Sequence, residues 1–383
     1  MRLLPIPLKK GKVIDMKKAI ILLWALILAA SLLMSCTAVE NGGAPVSAPS
    51  ENGGAPVNAP SENSGLPANA PGGNNGAPAN APSEPTGGGA ESGAQGDGDI
   101  PVVYMTKEIT PESLVAIYRA LGVEPTGNIA IKIHTGEPPN SNYLRPALIG
   151  GLVRLIGGTI VETKPVAGLR ASNLLHMQVA KDHGFLDIAP FDLLDADGDI
   201  SLPITAGEVL SEVLVGANLF NYDYYVVLSH FKGHGSAGYG GALKNMSIGL
   251  ASAPGKSLIH SGGRRRTGYT GDQDQFLKGM AEASASIAGH LDGNLLYINV
   301  MNRLSVDCDC MGNPAEPDMH DIGVLSSLDP VALDQACVDL VYAAEDGASL
   351  IKRIEARNGI HTLEHAAAIG LGSREYSLVR IDD

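Results

Sequence analysis

The chain has 383 residues, 44% of them hydrophobic but only 4% aromatic, and a formal net charge of −14. That acidity argues against a nucleic-acid partner. Of its four cysteines, one ends an N-terminal apolar run, and an odd number beyond it excludes a closed disulfide framework.

In chain order, Met1–Asp15 reads as upstream translation, with Met16 as the working start. Residues Met16–Cys36 (MKKAIILLWALILAASLLMSC) hold a charged start at Lys17 and Lys18, an apolar stretch, and a small residue before cysteine. This is the pattern of a bacterial lipoprotein signal, with Cys36 as the lipidated residue and the mature chain held outside the cytoplasm on the cell membrane. The same run could serve as a transmembrane anchor, but it stops at Ser35-Cys36 with no basic stop-transfer flank. From Thr37 to Asp99 an eleven-residue unit repeats, as in ENGGAPVSAPS from Glu40 and ENGGAPVNAPS from Glu51. Without large apolar residues such a segment cannot offset its ordering entropy, so a flexible spacer is expected.

Residues 100–383 suffice for one large domain or two lobes. Asn128–His134 predicts a strand, Tyr143–Ile156 a helix, Thr159–Glu162 a strand and Asn173–His183 a helix. Tyr224–Ser229 is a buried strand, Phe276–Leu291 a helix, Asn294–Asn299 a strand, and Val324–Ser326 the end of another. Asp329 then caps a helix with Pro330 in its first turn. Ser349–Glu355 and His361–Ile369 look helical, and Tyr376–Ile381 closes with a strand. The alternation predicts an α/β fold, mostly parallel strands with helical crossovers, with two lobes around a cleft.

The stretch His230–Gly249 (HFKGHGSAGYGGALKNMSIG) is the densest in chemistry. Gly233, Gly235 and Gly238 match a dinucleotide fingerprint, but Ala253–Ile259 lacks the carboxylate needed for the ribose. Gly249 to Ser257 resembles a P-loop with one residue too many between its glycines, and is expected to be a loop. Asp195, Asp197 and Asp199 open like a calcium loop, but Ile200 and Ala206 occupy positions requiring glycine and glutamate. They are expected to form a solvated turn, and Arg264–Arg266 a solvated loop. What remains is a glycine loop whose backbone N–H groups, at Gly235, Gly238, Tyr239 and Gly241, are placed to meet an anion. Lys244 adds charge, and His230, His234 and His260 can act as bases or metal ligands. The alternative is a glycine-rich packing device. Further on, Cys308 and Cys310 can reach one soft metal, completed by Asp307, Asp309, His320 or Cys337. A Cys308–Cys310 or Cys310–Cys337 disulfide is equally compatible with the spacing. No Cys-x-x-Cys is present, so a complete ferredoxin motif is absent.

His230–Ile259, Asp307–Cys310 and Asp321–Ala336, with the ending His361–Val379, resemble the domain-of-unknown-function family numbered 362. Many of its members carry a cysteine-rich ferredoxin-like module, so the resemblance implies a metal ion or iron–sulfur cluster at Cys308 and Cys310, although this chain lacks that module. More distantly, His234-x-x-Ala237-Gly238-Tyr239-x-Gly241-x-x-Lys244 followed by His260 is similar to the nickel-pincer lactate racemases. That similarity implies an acid/base role for His234, a tethering role for Lys244, metal ligation by His260, and a substrate-side role for Arg145. Asn142 and Arg170 depart from that pattern, so the scaffold is implied and not lactate racemisation. Two functions follow as expectations. One is metal-dependent proton or electron transfer on a small anionic substrate, with His234 and Lys244 catalytic. The other is a surface lipoprotein that binds a solute or metal without turnover. No protein partner is indicated.

Overall fold

A strand that buries both faces needs covering layers on both sides, and the central strands here carry apolar residues on both. The computed structural model describes residues 100–382 except Ala206. The upstream segment, the apolar run with Cys36, the repeat spacer and Ala206 of the acidic turn therefore lie outside the described residues. The elements are, in order, β1 (Val102–Thr106), α1 (Pro111–Ala120), β2 (Ile129–Lys132), α2 (Pro146–Ile156), β3 (Thr159–Glu162), α3 (Asn173–Asp182), β4 (Phe191–Leu193), β5 (Asp199–Pro203), β6 (Glu212–Gly216) and β7 (Tyr224–His230). There follow β8 (Lys232–His234), β9 (Gly238–Gly240), α4 (Ala242–Leu250), α5 (Ala253–His260), α6 (Gln273–His290), β10 (Leu295–Met301), β11 (Gly323–Ser327), α7 (Pro330–Ala343), α8 (Ala348–Ala356), α9 (His361–Ala368) and β12 (Ser377–Arg380).

Eight strands form one sheet in the order β12-β1-β11-β10-β7-β2-β3-β4. All pairings are parallel except the two made by β11, so the expected mostly parallel α/β architecture holds. Along β7, Val226 and Leu228 face a core shared with α1 and α2 through Leu114, Ile117, Ile149 and Leu152. Tyr225 and Val227 face the opposite core, built with α4, α6 and α7 through Leu243, Met246, Leu277 and Leu333. Each fully buried aliphatic side chain contributes about 1.5–3 kcal/mol, which is why neither face tolerates exposure. The described residues all fall in one compact unit. The expected division into two lobes is not borne out: helices cover both faces of one sheet, and the small hairpins β5–β6 and β8–β9 pack against those helices.

Strand order also locates the cleft. From β2 the chain proceeds through β3 and β4 to one side, then returns to place β7 on the other side of β2. The reversal leaves a crevice outside the carboxyl ends of β2 and β7, where open α/β sheets place ligands.

Two sequence expectations change. Ala253–His260 is a helix, not a loop: Ser252 caps it by accepting from Gly255 N–H at 3.2 Å, with Pro254 in its first turn. Val102–Thr106 and Pro111–Ala120, for which no element was expected, form a strand and a helix, the latter with a capping box between Thr110 and Ser113. Among the described residues, no helix is long and apolar enough to cross a membrane.

Helix α5 carries two residues of the crevice wall and sits directly on β6. A Cβ at Gly255 would lie 2.0 Å from the Leu214 carbonyl oxygen, whereas a Cβ at Gly289 would meet nothing within 4 Å. Gly255→Ala is therefore expected to lower stability by about 1–3 kcal/mol, and Gly289→Ala to cause no loss, as read from denaturant midpoints of the two variants.

Candidate functional site

The crevice holds a cavity of about 340 Å³ whose walls include Lys132, His134, Glu162, Arg170, His234, Lys244, Lys256, His260 and Cys310. Strand ends supply the first group: β2 delivers Lys132 and, just beyond it, His134, while β3 ends at Glu162. The β8–β9 hairpin supplies His234, and helices α4 and α5 supply Lys244, Lys256 and His260. His234, Lys244 and His260, connected in the sequence only by spacing, share this cavity.

Glu162 organises one wall. Its buried carboxylate meets Arg170 Nη1 at 3.0 Å and His176 Nε2 at 2.9 Å, and accepts from the Thr135 hydroxyl. Burial pushes the Glu162 carboxyl up, but Arg170 and His176 outweigh it and hold it well below the usual range. The remaining guanidinium nitrogens of Arg170 meet Glu137 Oε2 and His134 Nε2, each at 3.0 Å. Arg170 is thus fully engaged.

The lysines are not. Lys132 donates to Asn245 Oδ1 at 3.0 Å and to the Ile133 carbonyl, and Lys256 donates to Thr163 Oγ1 and the Ala251 carbonyl. Lys244 has no hydrogen-bond partner among the described residues. The lysine ion pairs among those residues are Lys232–Asp309 and Lys278–Glu208, so no carboxylate neutralises Lys132, Lys244 or Lys256. Burial lowers Lys244 and Lys256 to about 7 and Lys132 to about 8; neighbouring cations add to the effect at Lys244, whereas Glu162 opposes it at Lys132 and Asp195 at Lys256 without cancelling it.

His234 has a defined tautomer. Its Nδ1 accepts from the backbone N–H groups of Ser236 at 3.1 Å and Ala237 at 2.9 Å, so the proton sits on Nε2. Burial, then Lys244, keeps the ring neutral by holding its pKa well below the usual value. His234 is therefore a hydrogen-bond donor toward the cavity. His260 is stacked on Phe276, centroids 4.1 Å apart, and edge-on to Tyr269. Burial lowers it to about 3.

The glycine stretch works differently from the sequence expectation. It forms the β8–β9 hairpin, and Gly235, Gly238, Tyr239 and Gly241 do not line the cavity. Their backbone makes close packing contacts: a Cβ at Gly238, whose φ is +81°, would sit 3.1 Å from Gly359 and Ile354, and one at Gly241 would sit 2.3 Å from Asp334 Oδ1. Tyr239 stacks on Phe231. The anion at the start of α4 comes from the protein itself, since Asp334 accepts from Ala242 N–H at 2.7 Å and Leu243 N–H at 3.0 Å. Asn299 Nδ2 donates to it as well, at 2.7 Å. Burial raises Asp334 to about 6, partly offset by these donors. Arg145 also lies off the cavity, its guanidinium 4.6 Å above the Tyr143 ring.

Cys308 and Cys310 are joined in a disulfide. With His234 they are the group of potential metal donors found among the described residues, all within 4.8 Å; His260 is not part of it. As folded this donor set does not fit a metal ion or an iron–sulfur cluster. The sulfurs are bonded to each other, and His234 Nε2 bears a proton that two backbone donors at Nδ1 prevent from moving across the ring. The remaining candidates are used elsewhere. Asp309 pairs with Lys232 at 2.8 Å and His230 at 3.1 Å, Asp307 with Arg353, and exposed His320 with Asp346. Cys337 is buried in α7. The acidic turn is only partly the solvated one expected: Asp197 and Asp199 are exposed, but Asp195 is buried and accepts from Lys164 N–H, and Asp199 accepts from the Ser252 hydroxyl, so the turn is tied to other segments. Of the arginine run, Arg266 pairs with Glu212 at the surface.

Lys132, His134, Glu162 and Lys256 were missed by sequence reasoning. A signal existed for two of them: a lysine and a histidine on an otherwise apolar strand, NIAIKIH, imply buried polar groups with a purpose.

Set beside known proteins, the profile of the family described as a domain of unknown function, DUF362, matches residues 129–339. The chain belongs to that family. No curated protein matches it in sequence. Among solved structures it is similar to the lactate racemase apoprotein of Thermoanaerobacterium thermosaccharolyticum at 16% identity and a TM-score of 0.32, covering 52% of this chain and 50% of that one. It is also similar to a Thermotoga maritima protein at 12% identity and a TM-score of 0.33, covering 69% of this chain and 60% of that one.

Removing Asp334 would orphan the first N–H groups of α4 and leave the Asn299 amide with only Cys337 Sγ, at 3.4 Å, as acceptor, while loosening the helix that carries Lys244. Asp334→Ala is expected to cost about 3 kcal/mol and Asp334→Asn less, as measured by urea denaturation.

Proposed function

We propose that this DUF362 member binds a small organic anion, a mono- or dicarboxylate, in the cavity at the ends of β2 and β7 and moves a proton on it. The supporting observation is the trio Lys132, Lys244 and Lys256, three amines around one cavity with no carboxylate partner. Unpaired buried charge is costly, and a bound carboxylate would relieve that cost by restoring full protonation to amines that sit near neutrality alone.

The two groups assigned to chemistry divide the work. His234 directs Nε2–H into the cavity as a neutral imidazole, suited to polarising a carbonyl or hydroxyl oxygen of the ligand. A general-base role would need its tautomer reversed. Lys244, lowered to about 7 and without a hydrogen-bond partner, can both accept and return a proton at neutral pH. Lys132 and Lys256 hold the carboxylate, and Arg170 is spent on Glu162. The size of the cavity, at the low end of ligand sites, suits a small acid. No step through a metal is assigned. In the same reading, lipid on Cys36 tethers the domain outside the cytoplasmic membrane, and the repeat spacer sets its reach.

Calorimetric titration with a panel of small carboxylates tests the binding. Lys244→Met and Lys256→Met are each expected to weaken it by about tenfold or more, and the uncharged amide analogues should not bind. Because the amines discharge as pH rises past 7 to 8, affinity should fall between pH 6 and 9. Exchange of a ligand C–H in deuterium oxide, followed by proton NMR and abolished by Lys244→Met, distinguishes turnover from binding alone. Failure of every carboxylate to bind would overturn the reading.

The anchor is tested separately. Labelling with a fatty-acid analogue and fractionation should place the wild-type chain with membranes, and Cys36→Ser should abolish the label.

A further inference from the structure

We propose that Cys308 and Cys310 form a redox-active pair, opened by exchange with a small dithiol, with Cys310 as the sulfur that is attacked. The two sulfurs are bonded to each other but differ in environment. Cys310 is exposed and lines the cavity, whereas Cys308 is 5% exposed. An incoming thiolate therefore has access to one sulfur only.

The surroundings suit both departures that exchange requires. The backbone N–H of Cys310 points at Cys308 Sγ at 3.3 Å, so it can stabilise Cys308 as the leaving thiolate. His234 Nε2 lies 3.8 Å from Cys310 Sγ, and with its proton fixed on Nε2 it donates toward that sulfur. The intervening Asp309 is buried and ion-paired to Lys232 and His230, and its carbonyl accepts from Glu137 N–H at 2.8 Å. The turn is thus held by contacts that do not involve sulfur, and opening the bond leaves both thiols in place to close it again.

The step balances as follows. A thiolate of the dithiol attacks Cys310 Sγ, the Cys308–Cys310 bond breaks, and Cys308 leaves and takes up a proton. The second thiol of the reagent then attacks the mixed disulfide at the reagent's own sulfur, releasing Cys310 toward His234 Nε2–H. The protein gains two electrons and two protons, and the dithiol becomes a cyclic disulfide. Neither the sulfurs nor this exchange depends on the carboxylate reading.

The test uses the folded full chain with dithiothreitol as reductant, alkylation of free thiols, and peptide mass spectrometry. Cys308 and Cys310 should be labelled together after reduction and protected again after removal of the reagent, while Cys337 stays unlabelled. With an aromatic disulfide reagent, Cys308→Ser should form the mixed disulfide at Cys310 at least about tenfold faster than Cys310→Ser does at Cys308. His234→Phe should slow the Cys310 reaction several-fold with unchanged circular dichroism. Three results would overturn the proposal: a pair that opens only on unfolding, equal reactivity of the two single variants, or purified protein with both thiols reduced around a stoichiometric metal. The wild-type labelling stands even where a variant fails to fold.

Discussion

The matching of buried charge at the strand ends governs this structure. Arg170 meets Glu162 and Glu137, and Lys232 meets Asp309, so each of these cations is neutralised by contacts that also tie loops to the sheet. Burial raises the Asp309 carboxyl, yet Lys232 and His230 outweigh it and hold it far below its ordinary value. Lys132, Lys244 and Lys256 receive no such partner. The fold carries these amines at a cost that the apolar layers around them offset.

The glycine-rich hairpin shows how the same residues serve packing first and chemistry second. Gly238 and Gly241 bring the backbone against α8 and Asp334, and Asp334 occupies the start of α4 as an internal anion. That arrangement aims Lys244 and Asn245 at the cavity. Asn245 in turn donates to the carbonyls of Lys132 and Leu228 and accepts from Lys132, locking α4 to β2 and β7 across the switch point. The hairpin's glycines position the site without lining it, while His234 and Ser236 between them do line it.

Around the cavity, His234 links two chemistries. Its Nδ1 is held by the hairpin's own backbone, and its Nε2–H faces both the cavity and the Cys310 sulfur. The sulfur pair and the cavity therefore meet at one imidazole.

Local patterns were legible in the sequence because they depend on neighbours in the chain. Thr159–Glu162, the cap at Asp329 with Pro330, and the buried run ending at Ser229 follow from periodicity and capping chemistry. The alternation of strands and helices determined the α/β class. The spacing of His234, Lys244 and His260 identified three residues that do share a cavity. The sequence alone did not separate a packing role from an anion-binding role for the glycines, because a free N–H and one satisfied by a carboxylate 92 residues away look identical in it. Nor did it associate Lys132 with Asn245, 113 residues apart, or reveal Lys256 as a cavity residue inside a misleading P-loop pattern. Those pairings exist because the strand order reverses between β2 and β7, and that order is decided by which apolar faces pack together. Hydrophobic patterning determines the elements, and only their packing decides which charges meet and which are left without a carboxylate partner.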